Sequence, residues 1–142
     1  SPDLEKIILE NCVHLVQIHE SIGNLHCLLI LNMKNCKSLV ELPKEMSRLN
    51  LLEELVLCGC SKLESLDMDL EHHQGRRLHQ NLPRSHCHSL TTLNLSRTPI
   101  CFLPPSIKDI GPLNYLSLAE CEMLQTLLEL PSSLVGLDAS YC

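Results

Sequence analysis

The sequence predicts an α/β solenoid: a curved stack of short parallel strands lining a concave face, with helical, 3₁₀ or extended return arms behind it. Three observations carry that expectation. Apolar residues recur at a fixed beat, Leu4-Ile7-Leu9-Cys12-Leu15-Ile18, then Leu28-Leu31-Met33-Cys36-Leu39-Leu42, then Leu52-Leu55-Leu57-Cys60-Leu63-Leu66, each set one equal interval after the last. A period in the twenties is the mark of stacked repeats. Within each set the L-x-L step is strict alternation, as in a half-buried strand. Finally, the chain is 44% apolar but only 2% aromatic. Leu therefore supplies the core volume that Phe, Tyr and Trp usually provide, which suits a stack of equivalent environments.

Taken in order, repeats begin near 4, 28, 52, 90, 113 and 134, the later frames reading Leu90-Leu93-Leu95-Thr98, Leu113-Leu116-Leu118-Cys121-Leu124-Leu127 and Leu134-Leu137-Ala139-Cys142. The first repeat turns Ile7 and Leu9 inward and leaves Lys6, Ile8 and Glu10 outward. The second turns Leu31 and Met33 inward and leaves Ile30, Asn32 and Lys34 outward. The third exposes Glu54, Val56 and Cys58, the fourth Thr92, Asn94 and Ser96, the fifth Tyr115, Ser117 and Ala119, the sixth Gly136, Asp138 and Ser140. The arms carry Leu39, Leu42, Met46 and Leu49 inward. Pro43 and Pro104 each follow an inward Leu and hold the arm extended, because proline fixes φ and lacks an amide donor. The spacing Met46 to Leu49 leaves room for one helical or 3₁₀ turn. A fully buried Leu contributes roughly 1.5–3 kcal/mol, but one repeat cannot bury its own faces, so stability comes from neighbours.

Two irregularities interrupt the beat. The fourth repeat is one residue short and has Thr98 where the others have cysteine. The step from Leu52 to Leu90 is much longer than the step from Leu28 to Leu52, which places an insertion at 71–89, EHHQGRRLHQNLPRSHCHS. That segment holds Arg76, Arg77 and Arg84 against Glu71, a local +2 in a chain of net charge −6. Insertions in solenoids map to loops on one face and often bind, so these three arginines are candidate contacts beside the alternative of a decayed repeat. The whole chain, 1–142, reads as one repeat domain cut from a longer protein, whose uncapped apolar ends favour aggregation.

Function is to be sought on the outward strand rows. Lys6, Ile8, Glu10, Ile30, Asn32, Lys34, Glu54, Val56, Thr92, Asn94, Tyr115 and Asp138 form the candidate protein-binding face, with Ile8, Ile30 and Val56 as an aliphatic strip on neighbouring strands. Tyr115 is the one aromatic anchor of the kind enriched at interfaces. No block of like charges suggests nucleic acid or a membrane surface, and no apolar run of about 18 residues suggests a membrane span. The N-terminus lacks the basic start and apolar stretch of a secretory signal.

Nine cysteines raise the question of disulfides. Cys12, Cys36, Cys60, Cys121 and Cys142 share one repeat position, so they stack in a column of small, mostly buried groups that donate weakly in the turn. An odd total adds to the case for free thiols and a reducing compartment. His72, His73, His79, His86 and His88 cluster with Cys87 in the insertion, and a zinc site there is an alternative reading. Pro83 interrupts the one helical face that would gather His72, His79 and His86, and no C-x-x-C pair completes four ligands. Cys58-Gly59-Cys60 resembles half a site, but the register sends Cys58 to the concave surface and Cys60 into the column. Cys87 between His86 and His88 lacks an orienting acid and an oxyanion donor, so no catalytic residue is assigned. The sequon Asn94-Leu95-Ser96 accepts a glycan only in a secreted protein and falls on the strand face.

The stretches LEKIILENCVHLVQIHESIGNL, LLILNMKNCKSLVELPKEMSRL, LLEELVLCGCSKLESL, LTTLNLSRTPICFLPPSI and LNYLSLAECEMLQTLLELPSSLVGLDASYC resemble the leucine-rich repeats of plant intracellular immune receptors, most closely the class with an N-terminal Toll/interleukin-receptor-like domain. The column cysteine, the L-P-x-x-I arm and the closing L-P-S-S-L-x-x-L-x-A-x-x-C carry the likeness. It spans nearly the whole chain, departing at 71–89 and in the short fourth repeat. The resemblance implies a cytoplasmic or nuclear defence receptor whose repeats restrain a nucleotide-binding module and recognise a pathogen effector or a guarded host protein. It also implies that ADP or ATP binding and NAD⁺ cleavage belong to other domains; this chain has no G-x-x-x-x-G-K-[ST] loop, and neither cofactor nor metal is assigned to it. The alternative is a cell-surface repeat ectodomain that binds a peptide or protein.

Overall fold

The computed structural model describes residues 3–66, 89–125 and 130–139. Six strands, β1 (Lys6–Ile8), β2 (Ile30–Asn32), β3 (Glu54–Val56), β4 (Thr92–Asn94), β5 (Tyr115–Ser117) and β6 (Gly136–Asp138), form one parallel sheet in chain order. This is the expected solenoid. Return arms join the strands, and among the described residues three carry a 3₁₀ turn, at Glu20–Asn24, Lys44–Arg48 and Pro105–Asp109. Pro43 and Pro104 precede the last two with ψ of 149° and 141°, so the arm stays extended up to the turn. In the first arm His19 takes that place, and its Nδ1 accepts the Ser21 N–H at 3.0 Å.

The alternation holds in register. Ile7, Leu31, Leu55, Leu93, Leu116 and Leu137 lie side by side along the sheet. The interior four are fully buried, as are Met33, Leu57, Leu95 and Leu118 one step on. Ile7 is half-buried and Leu137, expected inside, is 44% exposed. Each of these two sits on a strand that pairs on one side only, so half of the packing that buries Leu55 is missing there.

Both irregular places keep the register. Leu55 pairs with Leu93 although the chain between them is stretched. In the fourth repeat the inward residues run Thr98, Ile100, Leu103, Ile107 and Ile110, where the second has Cys36, Leu39, Leu42, Met46 and Leu49. The missing residue therefore falls between the column position and the first arm residue, beside Pro99, and the rest of the arm is unaltered.

Between strand and column one residue in each of the first five repeats adopts the left-handed conformation: Asn11, Asn35, Gly59, Arg97 and Glu120, with φ of 61°, 60°, 78°, 56° and 57°. This residue swings the chain from the sheet into the arm, and its N–H donates to the next repeat in four of the five cases, from Asn11 to Lys34, Asn35 to Cys58, Gly59 to Ser96 and Arg97 to Ala119. Asn suits the conformation because its short amide bonds locally; here Asn35 Nδ2 also donates to Asn11 Oδ1 at 3.2 Å. At Gly59 the Asn35 amide oxygen fills the space where a Cβ would stand, so glycine is required both by φ and by contact. Arg97 and Glu120 have no such compensation, and left-handed backbone costs an ordinary residue roughly 1–2 kcal/mol.

The column itself is a hydrogen-bonded seam. Cys36 Sγ donates to Leu9 O at 3.0 Å, Cys60 Sγ to Met33 O at 3.2 Å and Cys121 Sγ to Leu95 O at 3.0 Å. The thiol thus bonds the preceding repeat rather than its own turn. Thr98 differs, donating to its own Leu95 O at 2.7 Å and standing 3.7 Å from Cys121 Sγ.

Two outcomes in urea denaturation test the left-handed seam. Arg97→Gly or Glu120→Gly raises stability by about 1 kcal/mol, since glycine adopts positive φ without steric cost. Gly59→Ala lowers it by roughly 2 kcal/mol or more, combining strained backbone with a clash against Asn35.

Candidate protein-docking face

With the middle residue of the four inner strands buried, its two neighbours stand on the opposite side of the sheet, and β1 and β6 continue the same register. The register aligns them into two rows. One row runs Lys6, Ile30, Glu54, Thr92, Tyr115, Gly136; the other runs Ile8, Asn32, Val56, Asn94, Ser117, Asp138. Adjacent members sit about 4.8 Å apart, the spacing of paired strands. Ile8 is 54% exposed, and Ile30 and Val56 are half-buried. These three alternate between the rows on β1, β2 and β3, so they form a zigzag apolar strip. Lys6, Glu10, Lys34 and Glu54 border it.

Several outward side chains are already committed. Asn32 Nδ2 donates to Glu10 Oε2 at 2.7 Å while its Oδ1 accepts the Lys34 N–H at 3.0 Å. Asn94 Oδ1 accepts both the N–H and the hydroxyl of Ser96, at 3.0 and 2.8 Å. Each asparagine therefore fixes the turn that follows its strand, and its carbonyl is not offered to a partner. Tyr115 is 38% exposed. Its ring lies against Gly136, where an added Cβ would meet Cδ1 at 2.8 Å. Sequence reasoning named Tyr115 but missed its dependence on Gly136; the signal was a glycine beside an aromatic across two strands.

Three residues read as outward are not available. Cys58, Ser96 and Ser117 are all nearly or fully buried, because neighbouring strands and turns cover short side chains on that face. Cys58 lies outside the apolar core and Cys60 within it, so the pair diverges as expected although Cys58 is not a surface group. Arg76, Arg77 and Arg84, the histidine cluster with Cys87, Leu127, Ser140 and Cys142 lie outside the described residues. Among the described residues no group of His, Cys, Asp and Glu is placed to hold a metal, and no helix is long and apolar enough to cross a membrane. Away from the sheet, Gln17, Ile18, His19, Glu20, Glu41, Pro43 and Glu45 line a shallow crevice of about 250 Å³ between the first two arms.

Burial also sets the chemistry of the column. Desolvation raises the Cys36 thiol above its ordinary value and pushes Cys60 up to about 11. Both stay protonated as the S–H donors that the seam needs.

No family model matches the chain. It is 48% identical over 54 residues to a protein of Arabidopsis thaliana described as a probable disease resistance protein. That match takes in 38% of this chain and 3% of the relative, so the chain spans a small fraction of that protein's length. Among solved structures, the leucine-rich repeat domain of the type III effector XopL superposes with a TM-score of 0.68 at 22% identity, covering 82% of this chain and 37% of that one. The plant peptide hormone receptor RGFR1, solved in complex with RGF2, gives 0.55 at 24% identity, covering 87% and 20%. With the geometry above, these likenesses make the fold a leucine-rich-repeat solenoid.

Two measurements check the site. Ile30→Lys and Val56→Lys leave unfolding free energy within about 1 kcal/mol of the parent, being surface changes, whereas Leu31→Ala or Leu55→Ala costs roughly 2–5 kcal/mol. Because the folded Cys60 holds its proton beyond the ordinary 9.0, its contribution to stability is complete below pH 9. It is lost as pH rises toward about 11. Denaturation across that window shows the fall, and Cys60→Ser diminishes it.

Proposed function

We propose that this chain is the protein-recognition and autoinhibitory repeat domain of an intracellular plant immune receptor, of the class with a Toll/interleukin-receptor-like domain. It senses a pathogen effector or a guarded host protein and also contacts the nucleotide-binding module of its own receptor. The observation that carries this reading is the strip of Ile8, Ile30 and Val56, exposed at Ile8 and partly exposed at the other two on an in-register sheet. Exposed aliphatic groups bordered by charge suit a protein partner. The likeness to a probable disease resistance protein supplies the setting. Thiols held as buried hydrogen-bond donors suit a reducing compartment, cytoplasmic or nuclear. In this reading the repeats do no chemistry, and ADP, ATP or NAD⁺ is handled by other domains.

A second reading, a cell-surface ectodomain that binds a peptide, is favoured by the likeness to RGFR1. A transcript encoding a G-x-x-x-x-G-K-[ST] loop upstream of Ser1 supports the first reading; a secretory signal there supports the second. An endoglycosidase shift abolished by Asn94→Gln also marks the second.

The docking role is tested with the whole gene product expressed in leaf tissue. Ile30→Glu with Val56→Glu changes cell death, producing it without challenge if the contact restrains the receptor, or removing it on challenge if the contact is with the recognised protein. Val40→Glu, on an arm residue 49% exposed, leaves the response unchanged. Sheet-face and arm variants that both behave as the parent refute the role.

A further inference from the structure

We propose that Cys12 and Cys36 form a redox latch, a thiol pair that closes to a disulfide and clamps the first repeat onto the second. The column brings the two together: Cys36 Sγ donates to Leu9 O at 3.0 Å, and the Cys12 N–H reaches the same oxygen at 3.4 Å. The equivalent step at Thr98 and Cys121 puts the two side-chain heteroatoms 3.7 Å apart. Strand spacing of about 4.8 Å falls in the Cα range that a disulfide spans.

Closing an S–S bond of about 2.0 Å requires the sulfurs to approach further, and the packing says where that is tolerated. Cys36 and Cys60 are both fully buried, with a complete repeat on each side. The first repeat is held on one side, with Ile7, Leu9, Leu15 and Ile18 only partly buried. Cys12 is itself partly exposed, so a small oxidant reaches it first. Cys27 has Asp3 and Leu51 one repeat away on either side and no thiol neighbour in its column.

The chemistry is thiol–disulfide exchange with a small disulfide such as oxidised glutathione. Cys12 thiolate attacks one glutathione sulfur, forming a mixed disulfide and releasing one glutathione thiol. Cys36 thiolate then attacks the Cys12 sulfur and releases the second. Two protein protons leave on the two glutathione thiols, so the protein loses two electrons and glutathione disulfide gains them. High thiol pKa at the buried partner makes the second step the slow one. The loop closed between Cys12 and Cys36, one full repeat, restrains the unfolded chain.

The test treats the whole chain, natively folded, with oxidised glutathione, then alkylates it and maps peptides without reduction. The expected result is a dominant Cys12–Cys36 peptide and a melting temperature raised by roughly 5 °C or more, both reversed by dithiothreitol. Cys12→Ser, a change at a partly exposed site, abolishes the rise, and Cys36→Ser leaves glutathione attached to Cys12. A chain in which Cys12 stays glutathionylated while Cys36 remains free overturns the latch. So does linkage spread evenly over Cys27 and Cys101, or a Cys12–Cys36 bond that lowers the melting temperature.

Discussion

In the first two repeats the carbonyl of the last inward strand residue accepts two donors, the N–H of its own column residue and the thiol of the repeat above. Leu9 O and Met33 O do so with sulfur contacts of 3.0 and 3.2 Å. This shared acceptor ties each turn to the next while the left-handed residue that follows it redirects the chain. The strands depend on it, because three residues of pairing are too few to hold a sheet alone. Leu–Leu stacking supplies the driving force, and the carbonyl seam fixes the height at which each layer stacks.

The outward rows inherit their order from that seam. Ile8, Ile30 and Val56 come together because β1, β2 and β3 are paired without slippage; a shift by one residue would turn them inward. Asn32 and Asn94 serve two ends, standing on the outward face while capping the turn that follows. A substitution at either therefore disturbs scaffold and surface together, whereas Ile30 and Val56 make no such side-chain bond to the backbone.

Much of this was legible in the residues. Alternation of Leu with polar positions placed the strands, because a parallel stack buries every second side chain. Pro43 and Pro104 placed the extended arms. The left-handed seam was harder to read: Asn11, Asn35 and Gly59 hint at it, but Arg97 and Glu120 do not, since the stack imposes a conformation that their own propensity opposes. Cys58 was misread as a surface group because the register gives a side chain's direction, not the cover its neighbours provide. The place of the fourth repeat's missing residue was visible only once Ile100 and Leu103 had taken their inward positions. The arginines at 76, 77 and 84 lie beyond what the described residues address.

Leu55 pairs with Leu93 across the long connection as squarely as Leu31 pairs with Leu55 across the regular one. Strand-to-strand geometry in this stack is thus decoupled from the length of chain that joins the strands. Such a scaffold can take extra chain between two strands while its front is held constant, and the front can change one side chain at a time. For lineages under shifting selection, those are two independent routes to diversity, and neither demands that the other be reworked.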